Sequence, residues 1–312
     1  GTRRLAPMSN KPVGAASAAP SSTGGGRLSA ARFSSATEML GVAPFVIFAL
    51  MFLILPTIYL VIEAFTDSSG GFTLQNLIDL GTDRVVNAFD ASLRLSAVTA
   101  IGGAAGGLLI AIAIIKGRLP RWLRDLTMTF SGVASNFAGV PLAFAFLATF
   151  GRLGIVTLVF KFFGLDIYRG GFNILSFWGV VLTYLYFQIP LMVLIIAPAV
   201  DGLRKEWNEA AATLGATPWQ FWRYVGLPIL WPNLLGTLSL LFANAFGAIA
   251  TAYAFTGSSL NIVPIKLYAQ IRGDVLFNPN LGYALAFGMI VITGMANMFY
   301  IWFRTRSERW LK

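Results

Sequence analysis

The chain has 312 residues, of which 56% are hydrophobic and only 12% are charged, whereas soluble domains carry about a quarter charged residues. This composition excludes an ordinary soluble domain and indicates an integral membrane protein. The formal net charge of +10 comes from basic residues at the ends of apolar runs, which argues against nucleic-acid binding. The chain has no Cys and no His, which argues against disulfides, against zinc or haem sites and against proton transfer near neutral pH.

Residues 1–35 are rich in Gly, Ala, Ser and Pro, so we expect a disordered N-terminal tail. Six apolar runs follow, each near the roughly 20 residues that cross a bilayer. They predict spans at 40–63, 95–115, 127–150, 174–200, 229–256 and 282–303. The second to sixth spans contain no Asp, Glu, Lys or Arg.

These runs predict an all-α integral membrane protein with six transmembrane helices. We divide it into the disordered tail (1–35), a first transmembrane helix with an extracytoplasmic loop (36–92), a transmembrane core domain (93–305) and a C-terminal tail (306–312). The apolar run after the tail is too long for a signal peptide, so we expect it to remain as a span.

The distribution of Lys and Arg predicts the orientation of the spans. Three basic clusters fall on one side of a six-span chain: Arg3, Arg4, Lys11, Arg27 and Arg32; Lys116, Arg118, Arg121 and Arg124; Arg304, Arg306, Arg309 and Lys312. The first loop on the other side is acidic, although the third loop, with Arg152, Lys161 and Arg169, fits less well. We therefore predict that both termini and the fourth loop are cytoplasmic.

The fourth loop is predicted to form a helix–turn–helix, here called the elbow (residues 203–228). Its first helix is expected at about 203–214, with Asp201 as its N-cap, and Gly215 is expected to end it because Gly tolerates the left-handed conformation. Thr217, Pro218 and Gln220 then form the pattern of a capping box and predict a second helix toward Pro228.

The surface of the elbow allows two interpretations. The Ala run at 210–212 removes side-chain bulk, and Glu209 places a carboxylate beside it, so the first helix can lie in a groove of another protein. An amphipathic elbow that merely rests on lipid is the alternative. The residue types alone leave both open.

The spacing of the elbow resembles the EAA loop of binding-protein-dependent ABC importer permeases. The family pattern has Glu-Ala-Ala, a Gly four positions after the last Ala, and an ending of hydrophobic-x-Leu-Pro. The matching residues are Glu209, Ala210, Ala211, Gly215, Val225, Leu227 and Pro228. The resemblance covers roughly residues 90–305 and departs only at Val225, where the pattern often has Ile.

This resemblance implies that Glu209, Ala210, Ala211, Gly215, Leu227 and Pro228 couple the chain to a separate ATPase subunit. It also implies a dimer of ATP-binding subunits, a second permease subunit (a heterodimer favoured over a homodimer), an extracytoplasmic binding protein and a bacterial inner membrane. In the chain itself no Lys is followed by Ser or Thr, so a standard P-loop is absent. ATP and Mg²⁺ are therefore expected on the partner ATPase, with no cofactor in this chain.

Several polar residues within the spans are candidates for the translocation route, because polar groups in hydrocarbon tend to face the bundle interior or a water-filled path. They are Asn136, Gln188, Asn244, Thr251, Tyr253 and Thr256. Local hydrogen bonding between helices is the alternative for each of them. In the second span, Gly102/Gly106 and Gly103/Gly107 form overlapping small-residue pairs that predict close helix packing.

The substrate is less well indicated. The segments "AYAFTGSSLNIVPIKLYAQIRGDV" and "NLGYALA" look most like permeases for spermidine or putrescine, and relatives import ferric iron, phosphonate, thiamine or sulfate. The uncharged spans suggest that selection rests with the binding protein. A secondary carrier or channel would need an intramembrane ionisable residue or an internal repeat, and a membrane enzyme would need a catalytic cluster; neither is evident in the sequence.

Overall fold

The computed structural model describes residues 41–117, 119–272 and 279–308. Within these ranges the chain is almost entirely helical and forms no strand, only an isolated bridge between Thr66 and Phe72. The fold class predicted from the sequence is therefore confirmed. The predicted disordered tail, 1–35, and residues 309–312 lie outside the described residues.

Thirteen α-helical segments are described in these ranges and are numbered here in chain order. They are α1 (Gly41–Ala64, with a π-helical turn at Leu50–Ile54), α2 (Gln75–Asp79), α3 (Asp83–Lys116), α4 (Arg121–Asn136), α5 (Val140–Phe150), α6 (Ile155–Phe162), α7 (Phe177–Asp201), α8 (Lys205–Thr213), α9 (Pro218–Phe221), α10 (Leu227–Gly247), α11 (Ala250–Thr256), α12 (Val263–Arg272) and α13 (Pro279–Glu308).

The chain divides into two compact units, the first of which ends at Thr57. The described part of this first unit, residues 41–57, is helical, and its large apolar side chains, such as Phe45 and Phe52, are exposed. A helix that is apolar on every side is typical of a membrane span. The second unit, from Ile58 onward, contains the remaining helices.

Six segments in the described ranges are long and apolar enough to cross a membrane, as the sequence predicts. They are Gly41–Ala64, Asp83–Lys116, Val140–Phe162, Phe177–Asp201, Pro218–Gly247 and Asn280–Trp302. The number of spans is thus confirmed, while the bounds of the second, third and fifth differ from the prediction; the second begins at Asp83 and not at residue 95.

The prediction of one continuous helix for the third span, 127–150, is wrong. The chain leaves the helical conformation after Asn136, and α5 begins at Val140. Gly139 has a φ of 77°, and Pro141 occupies the first turn of α5, where its missing N–H breaks no helical hydrogen bond. The predicted fifth span, 229–256, is also interrupted: α10 ends at Gly247, Ala248 is extended, and α11 follows.

Helices α3 and α7 pack closely, and glycines make this possible. A Cβ atom added to Gly103 would lie 2.8 Å from Gln188 Cβ, and one added to Gly107 would lie 2.4 Å from Met192 Cβ. Gly102 and Gly106 face the ends of flexible Leu and Ile side chains instead. The packing role predicted for these small residues is confirmed, and Gly103/Gly107 is the pair that brings the two backbones together.

The buried core of the second unit follows the contact between α3, α7 and α10. One cluster contains Leu95, Val180 and Tyr184, and another contains Met192, Leu230 and Leu241, together with other apolar residues. The second cluster continues under the elbow, where Trp207 and Trp222 pack against it with partly buried rings. The elbow is therefore attached to the apolar core by aromatic side chains.

Candidate coupling elbow and transport route

The elbow begins with α8, which runs from Lys205 to Thr213. Arg204 occupies its N-cap position, and no side chain caps the helix. The prediction that Asp201 caps this helix is wrong, because α7 continues through Asp201. The Asp201 carboxylate instead lies 3.7 Å from the guanidinium of Arg124.

The turn after α8 has the geometry of a Schellman motif. Gly215 has a φ of 79°, its N–H donates to the Ala212 carbonyl at 3.0 Å, and the Ala216 N–H donates to the Ala211 carbonyl at 2.9 Å. These bonds satisfy the last carbonyls of the helix, and the positive φ strains any residue other than Gly. The helix end predicted at Gly215 is confirmed.

The second half of the elbow starts with the predicted capping box. Thr217 is the N-cap of α9: its hydroxyl accepts from the Gln220 N–H at 3.3 Å, and the Gln220 Oε1 accepts from the Thr217 N–H at 2.7 Å. A π-helical turn, Trp222–Gly226, then joins α9 directly to α10. Leu227 and Pro228 therefore lie in the first turn of a long helix, so the elbow continues into the fifth span without a break.

The outer surface of the elbow is exposed and partly apolar. No residue of α8 is buried, and the predicted coupling residues Glu209 and Ala210 are exposed. Leu214 is 88% exposed, Trp219 71% and Tyr224 67%. These three side chains were not among the predicted site residues, although apolar residues inside a polar loop were a visible signal. Apolar side chains exposed on the elbow are candidates for a protein-binding or membrane-contacting surface.

A charged cleft of about 910 Å³ lies between the elbow and the ends of the neighbouring helices. Its lining includes basic Lys116 and Arg124 and acidic Asp201, Glu206 and Glu209. Across the described ranges, no group of three or more His, Cys, Asp or Glu residues is arranged to hold a metal ion. The cleft therefore carries mixed charge without the ligand set of a metal centre.

Two of the six predicted route residues make buried contacts between helices. Gln188, which is fully buried in α7, donates from Nε2 to the Leu241 carbonyl of α10 at 2.9 Å. Thr251, also buried, accepts at its hydroxyl from the Gly139 N–H at 2.8 Å. This second bond joins the break between α4 and α5 to the start of α11, just after the break at Ala248.

Tyr184 also supports the second break, and it was not among the residues predicted from the sequence. Its ring is buried in α7, and its hydroxyl donates to the Ala248 carbonyl, which is part of the interruption between α10 and α11. A buried Tyr usually finds a partner for its hydroxyl, which was the available signal. One backbone group at each break, the Gly139 N–H and the Ala248 carbonyl, is thus satisfied by a side chain from another helix, in keeping with hydrocarbon surroundings.

The other four predicted route residues lie apart from these bonds. Asn136 is exposed and donates to the Gly132 carbonyl of its own helix at 2.9 Å, and Asn244 is exposed. Tyr253 is partly exposed, with its ring 5.0 Å from that of Tyr268, and the Thr256 hydroxyl donates within its own helix. None of the six lines the charged cleft or a smaller cavity of about 200 Å³. Their assignment to the route stays a prediction.

Residues 103–312 match the family model described as "Binding-protein-dependent transport system inner membrane component". The chain is 28% identical to the molybdenum transport system permease protein ModB of Mycobacterium tuberculosis over 60% of this chain and 67% of the relative. It is 24% identical to the spermidine/putrescine transport system permease protein PotC of Escherichia coli over 72% of this chain and 80% of the relative. It is 29% identical to the sulfate transport system permease protein CysT of Escherichia coli over 56% of this chain and 60% of the relative.

Solved structures show the same fold at lower identity. A chain from a bacterial ABC transporter involved in the import of the acidic polysaccharide alginate superposes with a TM-score of 0.68 and 18% identity, covering 92% of this chain and all of that chain. A chain of the MetNI methionine ABC transporter superposes with a TM-score of 0.54 and 15% identity, covering 71% of this chain and 95% of that chain. Taken with the family match, these findings show that the chain is a multi-pass membrane protein and belongs to the family of binding-protein-dependent transport system inner membrane components.

Proposed function

We propose that this chain is one permease subunit of an ATP-driven importer and that a separate ATPase drives it through the elbow. The observation that carries this proposal is the elbow itself: a Schellman-ended helix and a capping box present Glu209, Leu214 and Trp219 as exposed side chains, on a chain that has no P-loop. A rigid exposed turn on a membrane protein offers a partner a defined surface with little entropy to lose on binding.

The partners and orientation follow from this assignment. We place both termini and the elbow in the cytoplasm, where an ATPase dimer binds ATP and Mg²⁺. Six spans form half of a route, and a second permease subunit, different in sequence, supplies the other half. An extracytoplasmic binding protein delivers the substrate. The description of the matching family model names binding-protein-dependent transport, which supports the binding protein among these partners.

Association with the ATPase tests this proposal through the turn of the elbow. Gly215→Leu forces a side chain into a positive φ of 79°, so we expect the elbow to lose its shape and the ATPase to stop co-purifying. Gly171→Leu is the matched control, because Gly171 has a φ of 88°, also has open space around it, and lies in the third loop, away from the elbow. Equal co-purification of the ATPase with both variants and with the unchanged chain would contradict the proposal.

For the substrate we propose a polyamine such as spermidine or putrescine. The match to PotC spans 72% of this chain, compared with 60% for ModB and 56% for CysT, and this wider coverage supports the class that the loop and last span suggested. The spans hold no acidic cage for a polycation, so the binding protein has to provide the selectivity.

A small oxyanion is the second candidate. Lys266 of α12 lies near Arg84 of α3, and partial burial together with this neighbouring charge lowers the pKa of Lys266. No carboxylate forms an ion pair with either residue among the pairs found in the described ranges. Titrating the cognate binding protein with spermidine, putrescine, molybdate and sulfate separates the two candidates, and tight binding of only the oxyanions would reject the polyamine.

A further inference from the structure

The two ends of the elbow are attached to the membrane helices in different ways. At its C-terminal end, α9 passes through the π-helical turn Trp222–Gly226 into α10 with continuous helical backbone. At its N-terminal end, the short connection Gly202–Arg204 separates α7 from α8. A non-helical connection transmits force less directly than a helix does, unless other groups hold it in place.

Lys116 is placed to hold this connection. It is the last residue of α3, and its ammonium donates to the Leu203 carbonyl at 2.8 Å and lies 3.5 Å from the Asp201 carbonyl. These two carbonyls flank Gly202, so a single side chain bridges both sides of the connection. An ammonium at the C-terminal end of α7 also interacts favourably with the negative end of the helix dipole.

A second cation approaches the same point from α4. The Arg124 guanidinium lies 3.7 Å from the Asp201 carboxylate, and both groups line the charged cleft beside the elbow. The ends of α3, α4 and α7 therefore meet at the base of α8 through Lys116, Arg124 and the segment Asp201–Leu203, a set here called the clamp. Leu203 anchors this segment, because its side chain is buried in the core cluster.

We propose that the clamp transmits the movement of the elbow to α3, α4 and α7 and that Lys116 is its principal positioning residue. The inference rests on the proposed function, because it assumes that an ATPase moves the elbow. Without Lys116 the connection at Gly202 keeps only the Arg124–Asp201 pair and the buried Leu203 side chain, so it bends more easily, and α8 follows the ATPase while the three helices lag behind. The result is ATP hydrolysis with less substrate moved for each ATP.

The first test measures transport and ATP hydrolysis together in the complete complex, reconstituted in vesicles with binding protein and substrate. Lys116→Met keeps the length of the side chain but removes the ammonium. Since a hydrogen bond from a charged group contributes about 1.5 kcal/mol or more, which corresponds to about tenfold, we expect transport to fall about tenfold while hydrolysis falls much less. Lys116→Arg restores donors to the two carbonyls and should recover most of the ratio. Lys161→Met is the matched control, since Lys161 lies in the last turn of another helix, outside the clamp. Parallel falls in transport and hydrolysis would overturn the proposal.

The second test does not require assembly. The chain has no Cys, so spin labels can be attached at Leu119→Cys and Asn208→Cys, both exposed, without removing a native thiol. In lipid nanodiscs we expect Lys116→Met to broaden the distribution of distances between the labels and Lys161→Met to leave it unchanged. An unchanged distribution in Lys116→Met would show that the clamp does not hold the elbow. If the unmodified chain binds no ATPase, the proposed function fails instead, and the label measurement separates the two failures.

Discussion

The contact between Gly107 and α7 predicts a sharp response to the smallest possible substitution. In Gly107→Ala, the new Cβ would lie 2.4 Å from Met192 Cβ and 2.7 Å from the Ile189 carbonyl oxygen. Neither neighbour can rotate away, because one is a carbonyl and the other is bonded directly to the backbone. Ordinary contact begins at 3.4 Å, so relief requires α3 and α7 to separate by about 1 Å.

The expected loss of stability in Gly107→Ala can be estimated from two opposing effects. Overpacking of this kind costs up to about 3 kcal/mol, while replacing Gly by Ala inside a helix returns about 1 kcal/mol. We therefore expect Gly107→Ala to lose about 2 kcal/mol of stability, roughly 30-fold in the folding equilibrium. The chain in detergent micelles, heated and then analysed by gel filtration, should aggregate at a clearly lower temperature than the unchanged chain.

Two glycines provide matched controls for this experiment. Gly132 in α4 has no atom within 4 Å of the position that a new methyl group would occupy, so Gly132→Ala should be neutral or slightly stabilising. Gly106 belongs to the same glycine-rich stretch as Gly107 but faces the flexible end of Ile189 at 3.2 Å, so Gly106→Ala should have a small effect. The reasoning is refuted if Gly107→Ala aggregates at the same temperature as these two variants.

Three further changes test separate parts of the molecule. Thr217→Ala removes the capping box and should destabilise the elbow by about 1 kcal/mol. Proteolysis of the elbow should then be faster than in the unchanged chain, and Thr217→Ser should restore the original rate. Equal cleavage rates in all three proteins would contradict a capping role. Alanine at Asn244, Thr251 and Tyr253 should lower the transport rate or change the substrate range, and unaltered transport would remove them from the route. The lowered pKa of Lys266 means that the folded state disfavours its proton, a penalty that is complete below the lowered pKa and vanishes as the pH rises toward 10.5. Lys266→Met should therefore raise the melting temperature at neutral pH and lose this advantage in alkaline buffer, whereas a constant advantage would point to packing.

The sequence predicted those features of the structure that depend on residues close together in the chain. The apolar runs predicted six spans because the length of a bilayer-crossing helix is fixed by the bilayer. Gly215 and the Thr217–Gln220 capping box were predictable because the bonds that end one helix and start the next join residues only a few positions apart.

The helix breaks and the clamp were not predictable in the same way. The break near Gly139 lies within a continuous apolar run, and its backbone is satisfied by Thr251, which is 112 residues away. Lys116 finds its carbonyl partners 85 and 87 residues further along the chain. Hydropathy carries no information about such distant partners. Asp201 is a different case: the predicted fourth span ended at residue 200, one residue before the end of α7, so Asp201 looked free to cap the next helix.

Helices and hydrogen bonds connect both ends of the elbow to the broken helices. The segment Pro218–Gly247 is helical over 30 residues, a length of about 45 Å, and it ends at the break that Tyr184 supports. The other end of the elbow leads through the clamp to α7, and α7 is tied to α10 by the bond from Gln188 to Leu241. Because this bond joins α7 to α10 and the two helices are connected to opposite ends of the elbow, we expect a displacement of the elbow to move both helices together. We expect that motion to reach irregular backbone at the break around Ala248, where a small shift would change which groups face the proposed route.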